Sequence, residues 1–133
     1  MPENENVALV YSVFEAYEQG RIEDIVALCA EDITIFLPGP EIIPYAGRFQ
    51  GRAAVHDYFA LIPKLFDIID YNVHSVVAQG SKVVVNGHEV GIVKSTGKRF
   101  DNHWVMVWTI HGGVITDMFE YHDTAAVAEA FTP

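Results

Sequence analysis

Alternation between apolar and polar positions is most regular in the last third of the chain, KRFDNHWVMVWTIHGGVITDMFEYHD, residues 98–123. Two segments rich in Val, Ile, Trp, Tyr and Phe flank His111-Gly112-Gly113, which predicts a β-hairpin with a glycine turn. A period of two puts Asp101, His103, Val105, Val107 and Thr109 on one face of the first segment. Phe100, Asn102, Trp104, Met106, Trp108 and Ile110 fall on the other face. In the second segment Met118, Glu120 and His122 share a face, opposite Phe119, Tyr121 and Asp123. Read without a β-bulge, the faces with ionisable groups line a cavity and the aromatic face packs on an interface behind it.

Upstream the period changes. Val7, Val10, Tyr11, Phe14 and Tyr17 recur at helical spacing over residues 7–19, with Asn6 as N-cap and Gly20 as stop. RIEDIVALCA predicts a second, short helix, and ITIFL (33–37) a short strand ended by Pro38-Gly39-Pro40. The segment up to Gly51, with Ile42, Ile43 and Tyr45, reads as a loop able to cover a pocket. A third helix is expected over 51–62, before Pro63, carrying Val55, Tyr58, Phe59 and Ile62. Strands follow at 68–79 and 81–94, and Asp123 caps a terminal helix, AAVAEAF. Three helices followed by a long antiparallel meander make an α+β fold, a curved sheet wrapped on helices.

A chain of 133 residues is expected to form one domain, residues 1–133. The excess of 18 acidic over 8 basic residues gives a formal charge of -10, which argues against nucleic-acid and anionic-membrane partners. Cys29, the single cysteine, sits in an apolar helical context and reads as a small buried hydrophobe. MPENENVALV has neither a basic n-region nor a long apolar run, so the expected location is cytoplasmic. Four histidines (His88, His103, His111, His122) lie in the same stretch as Asp101 and Glu120, but neither HxH nor HExxH spacing occurs. Neither a metal nor a cofactor is expected.

Three strings, GRIEDIVALCAEDITIF, GRAAVHDYF and GGVITDMFEYHDT, resemble in order and spacing the nuclear transport factor 2-like (ketosteroid isomerase-like) superfamily, above all its SnoaL-like polyketide cyclase branch. The resemblance implies a cone: a curved antiparallel sheet wrapped around three N-terminal helices, enclosing an apolar pocket. It also implies a homodimer through the outer sheet face, assigned by the alternation to Trp104, Met106 and Trp108.

Carried over position by position, the isomerase base and its two oxyanion donors fall on Leu37, Val13 and Val105, so that chemistry is absent. The epoxide-hydrolase pattern retains Glu89 and Glu120, but its bridging arginine falls on Gly87 and its water-holding positions on Ile35 and Leu37. The cyclase acid falls on Glu120. The expected catalytic set is therefore Glu120 as acid/base, His103 and His122 assisting proton transfer, and Glu89 tuning the site. Tyr17, Ile35, Leu37 and Phe59, with Val105, Val107 and Met118, are expected to bind a small hydrophobic, cyclic or aromatic ligand. The function expected is that of a ligand-binding SnoaL-like protein, acting as a cofactor-independent cyclase, isomerase or lyase. The competing readings are a non-catalytic binding or dimerisation domain, and a limonene-epoxide-hydrolase-like hydrolase.

Overall fold

The computed structural model describes residues 2–133. Helices α1 (Pro2–Glu18) and α2 (Ile22–Ala27) lead into strands β1 (Cys29–Leu37) and β2 (Gly47–Gln50). Helix α3 (Arg52–Leu65) precedes four strands, β3 (Phe66–Gln79), β4 (Lys82–Val93), β5 (Arg99–His111) and β6 (Val114–His122), and α4 (Thr124–Phe131) closes the chain. The fold is α+β: one curved sheet of six strands, ordered β2-β1-β6-β5-β4-β3, with the helices against its concave side. All pairings are antiparallel except β1 with β6, which is parallel.

Element boundaries differ from the sequence expectation where tertiary contacts outweigh local signals. Asn6 lies inside α1 rather than capping it, and its side-chain amide donates to the Gly80 carbonyl at 3.4 Å. Pro63 does not end α3, which runs on to Leu65. Lys94 closes that helix end, its Nζ donating to the Pro63 carbonyl at 2.7 Å and its backbone N–H to Leu65 at 2.9 Å. Cys29 is buried as expected, but it opens β1 rather than lying on a helix. Asp123 caps α4 as expected, its Oδ1 accepting from the Ala126 N–H at 3.1 Å.

Curvature comes from bulges and from missing side chains. Strand β3 shifts register at Ile68/Asp70 and again at Val73/Ser75. On β4, Gly87 lies beneath the Trp104 ring and Gly91 beneath the Phe100 ring, in space that a β-carbon would occupy. The Trp104 ring in turn stacks on Tyr71, with centroids 5.3 Å apart, and Phe14 of α1 packs against both. Helix and sheet are thereby locked through aromatic contacts.

One irregularity in the closing hairpin decides which residues face inward. Val114 pairs with His111 and Ile115 with Ile110, but Asp117 pairs with Thr109, leaving Thr116 as an extra residue in a β-bulge. Beyond it Trp108 pairs with Met118, Met106 with Glu120 and Trp104 with His122. Directly opposed residues project from the same face of a sheet. The aromatic face of β5 therefore points inward, with Glu120. Trp104 and Trp108 are 2% and 3% exposed, and Val105 is 37% exposed. This corrects the expectation twice: His103, Val105 and Val107 lie on the convex side, and Trp104, Met106 and Trp108 face the interior instead of a partner.

Candidate active site

Between the concave face and the helices lies a cavity of about 610 Å³. Helix α1 supplies Phe14 and Tyr17, the loop after β1 supplies Tyr45, and α3 supplies Tyr58, Phe59 and Ile62. The sheet contributes Tyr71, Glu89, Met106, Trp108, Met118 and Glu120. Helices α1 and α3 reach the cavity with apolar stripes, and β5 and β6 with alternate residues. The rim carries Glu18, Asp67 and Lys94.

Glu120 sits on β6 with 8% of its surface exposed. Among the described residues its carboxyl has no hydrogen-bond or ion-pair partner. Burial, with the Glu89 charge adding to it, pushes its pKa up to about 8. It is a neutral acid through most of the physiological range, close enough to neutrality to give up a proton or take one back. Glu89 is held differently. Burial raises its pKa too, but Asn102 Nδ2 donates to Glu89 Oε1 at 3.1 Å and His88 adds favourable charge, both favouring the carboxylate. Asn102 is itself fixed, its Oδ1 accepting the Asp123 backbone N–H at 3.0 Å. Two acids thus share one cavity with their proton affinities pushed apart.

The hydroxyl groups of Tyr17, Tyr45, Tyr58 and Tyr71 stay protonated well beyond the usual phenol range, because burial and the two glutamates both disfavour phenolate. They act as hydrogen-bond donors or acceptors, not as bases.

Of the residues expected at the site, Glu89, Glu120, Tyr17, Phe59 and Met118 meet at the cavity. His122 lies on the same face of β6, against Tyr45 with ring centroids 5.8 Å apart. Both its ring nitrogens are buried without a hydrogen-bond partner, and burial lowers its pKa. It is a neutral imidazole behind the cavity wall. His103 stands outside, its ring centroid 4.6 Å from that of His88, whose Nε2 lies 3.3 Å from Asp101. Ile35 and Leu37 are buried in β1, a strand that contacts α3, and neither lines the cavity. Leu37 instead borders a groove beneath the loop that follows it. Gly87 cannot be replaced by a bridging arginine without displacing Trp104. Tyr45 reaches the site from the loop expected to cover a pocket, while Tyr71, Asn102 and Trp108 join it beyond the residues expected from the sequence. For Asn102 and Trp108 the signal was present in their alternation with Met106, and the bulge concealed it.

A scan against protein families matches residues 10–118 to the SnoaL-like domain. The chain belongs to that family. Comparison with curated proteins gives no match. Among solved structures, this SnoaL-like chain is similar to an NTF2-like protein from Burkholderia xenovorans LB400, with 35% identity, 98% of each chain covered and a TM-score of 0.91. It is also similar to a proposed isomerase from Bacillus subtilis, at 21% identity over 96% of this chain and 93% of that one, TM-score 0.81. A proposed polyketide cyclase from Xanthomonas campestris shows 20% identity over 99% of this chain and 100% of the other, TM-score 0.77. The latter two likenesses carry the fold alone. No helix of the described residues is long and apolar enough to cross a membrane.

Proposed function

We propose that the cavity binds a small hydrophobic molecule, cyclic or aromatic, and that the protein acts on it as a cofactor-independent cyclase, isomerase or lyase with Glu120 as acid/base. The observation that carries this reading is Glu120 itself: a buried carboxyl lining an apolar cavity, without a protein partner. A structural glutamate in such a place would be paired, since burial without compensation costs stability. Glu89, held toward its charged form by Asn102, serves as the second proton acceptor and sets the field on Glu120. Both Burkholderia likeness and cyclase likeness support a cone of this kind, and the chemistry rests on the glutamates.

A screen of hydrophobic ligands by thermal shift and native mass spectrometry, on wild type and Glu120→Gln, tests this. A ligand that stabilises both proteins but is converted by wild type alone supports it. Binding to both with turnover by neither would replace it with the second reading, a binding domain without catalysis. That reading draws on Val13 and Leu37, aliphatic where the isomerase branch carries its chemistry, and on the outward position of Val105. The hydrolase reading lacks support, since the arginine position is the glycine beneath Trp104.

The homodimer belongs to the convex side. Val77, Val84, Val107, Phe119 and Phe36 lie in cross-strand register over five strands, with Val105 and Tyr121 beside them. An apolar stripe of this length on an open sheet face calls for cover. Val107→Asp is expected to convert a dimer to a monomer in light scattering; an unchanged mass would remove this interface.

A further inference from the structure

The cavity wall is uneven in charge. Of its lining residues four are acidic (Glu18, Asp67, Glu89 and Glu120), and Lys94 alone is basic among the described residues. Lys94 is spent at the rim: its Nζ donates to the Pro63 carbonyl at 2.7 Å and lies 3.7 Å from Asp67. Apart from His88, which favours the Glu89 carboxylate, no cation among the described residues answers the two inner glutamates. The uncharged wall is part aliphatic and part aromatic, with Tyr17, Tyr45, Tyr58, Phe59, Tyr71 and Trp108 lining the same space. Aromatic faces carry negative potential and attract organic cations, the more so where water is excluded. The four tyrosine hydroxyls are free of hydrogen bonds to the protein among the described residues. The whole chain, at a formal charge of -10, draws cations toward the cavity and repels anions.

We propose that the ligand is a hydrophobic organic cation, an amine or ammonium on an apolar body, whose charged centre lies against Glu89 and Glu120 within the aromatic wall. The proposal rests on the reading of the cavity as a ligand site and narrows its ligand class. It accounts for Glu120, which is more than nine-tenths buried, faces the cavity and has no partner of its own. A cation there supplies the missing counter-charge. It also converts the buried acid to carboxylate, the form that accepts a proton from the bound molecule. Carboxylate-bearing ligands are excluded by the same charges.

Three probes of similar size separate the classes: benzyltrimethylammonium, its uncharged isostere neopentylbenzene, and the anion 4-tert-butylbenzoate. Each is titrated into the wild-type protein at micromolar concentration, with Trp108 in the cavity wall reporting binding through intrinsic fluorescence. The cation is expected to bind at least tenfold more tightly than the neutral isostere, and the anion to bind more weakly than either. In Glu89→Gln the preference for the cation is expected to fall at least fivefold while the neutral probe keeps its affinity. The wild-type comparison decides the matter even if that variant does not fold. Equal affinity for cation and isostere, or tighter binding of the isostere or the anion, overturns the proposal and leaves the hydrophobic ligand site standing. Binding of none of the three up to their solubility limits overturns both.

Discussion

Replacing Glu120 by glutamine keeps the size of the side chain and removes its titration, and the consequence for stability can be worked out from the structure. The folded-state pKa of about 8 lies above the ordinary value of 4.5. The folded protein therefore holds the Glu120 proton over a range where the unfolded chain releases it. The contribution of the neutral carboxyl is complete below the ordinary value and is lost as pH rises through about 8. Each pH unit within that window is worth about 1.4 kcal/mol, so the full shift sets an upper limit of about 5 kcal/mol. Water and the dipoles of the four tyrosines in the cavity reduce this, to roughly 2–4 kcal/mol. Glutamine is neutral throughout and escapes the loss.

Wild type and Glu120→Gln should thus melt together near pH 5 and diverge toward pH 8.5, the variant becoming the more stable. For a chain of this length the gap at the upper end is about 6–14 °C. Differential scanning calorimetry of both proteins over the pH series measures it, and titrations common to the two cancel in the difference. A gap that is constant with pH, or that favours wild type at high pH, would refute the burial argument.

Other substitutions test the frame around the site. Gly87→Ala places a β-carbon against the Trp104 ring and the Asn72 carbonyl, and should cost about 2–3 kcal/mol in urea denaturation. Asn102→Leu removes the donor to Glu89 and one of the two acceptors of the Asp123 N–H, the other being the His103 carbonyl, so it should destabilise by about 1–2 kcal/mol and raise the Glu89 pKa in a carboxyl NMR titration. His122 has its pKa lowered by burial, so its neutral form contributes stability that is lost as pH falls below its ordinary value. His122→Phe should therefore gain on wild type between pH 6.5 and pH 5 in thermal melts. Asp123→Ala should lose about 1 kcal/mol with the α4 cap, independent of any ligand.

Much of this arrangement is legible in the chain, and where it is not the cause can be named. Helical spacing marked Tyr17, Tyr58 and Phe59, and their apolar stripes do face the cavity. Strand alternation put Met118, Glu120 and His122 on one face, which is where they lie. On the partner strand the inward face is the reverse of the unbulged alternation, because side-chain direction follows register and register changes at Thr116. No residue type there announces a bulge; the unbulged count from Gly112-Gly113 pairs Glu120 with Val105, and the real pairing is with Met106. A single extra residue thus puts two tryptophans and a methionine on the inner face in place of a histidine and two valines. Tyr45 belongs to the segment expected to cover a pocket, but the sequence does not say which residue of that segment enters it. It lies in a loop, and only the packing of its ring on Phe66 and His122 carries it to the cavity. Ile35 and Leu37 alternate correctly and are buried, yet neither lines the cavity, a matter of tertiary packing that strand periodicity does not encode.

The central claim is that Glu120 is a buried, unpartnered acid poised near neutrality. Its carboxyl can be followed directly by carbon-13 NMR in glutamate-labelled protein, with Glu120→Gln assigning the resonance. A midpoint near 8, moving downward in Glu89→Gln, is the predicted result. A midpoint close to the ordinary 4.5 would mean a solvated carboxylate and would contradict the proposed role in proton transfer.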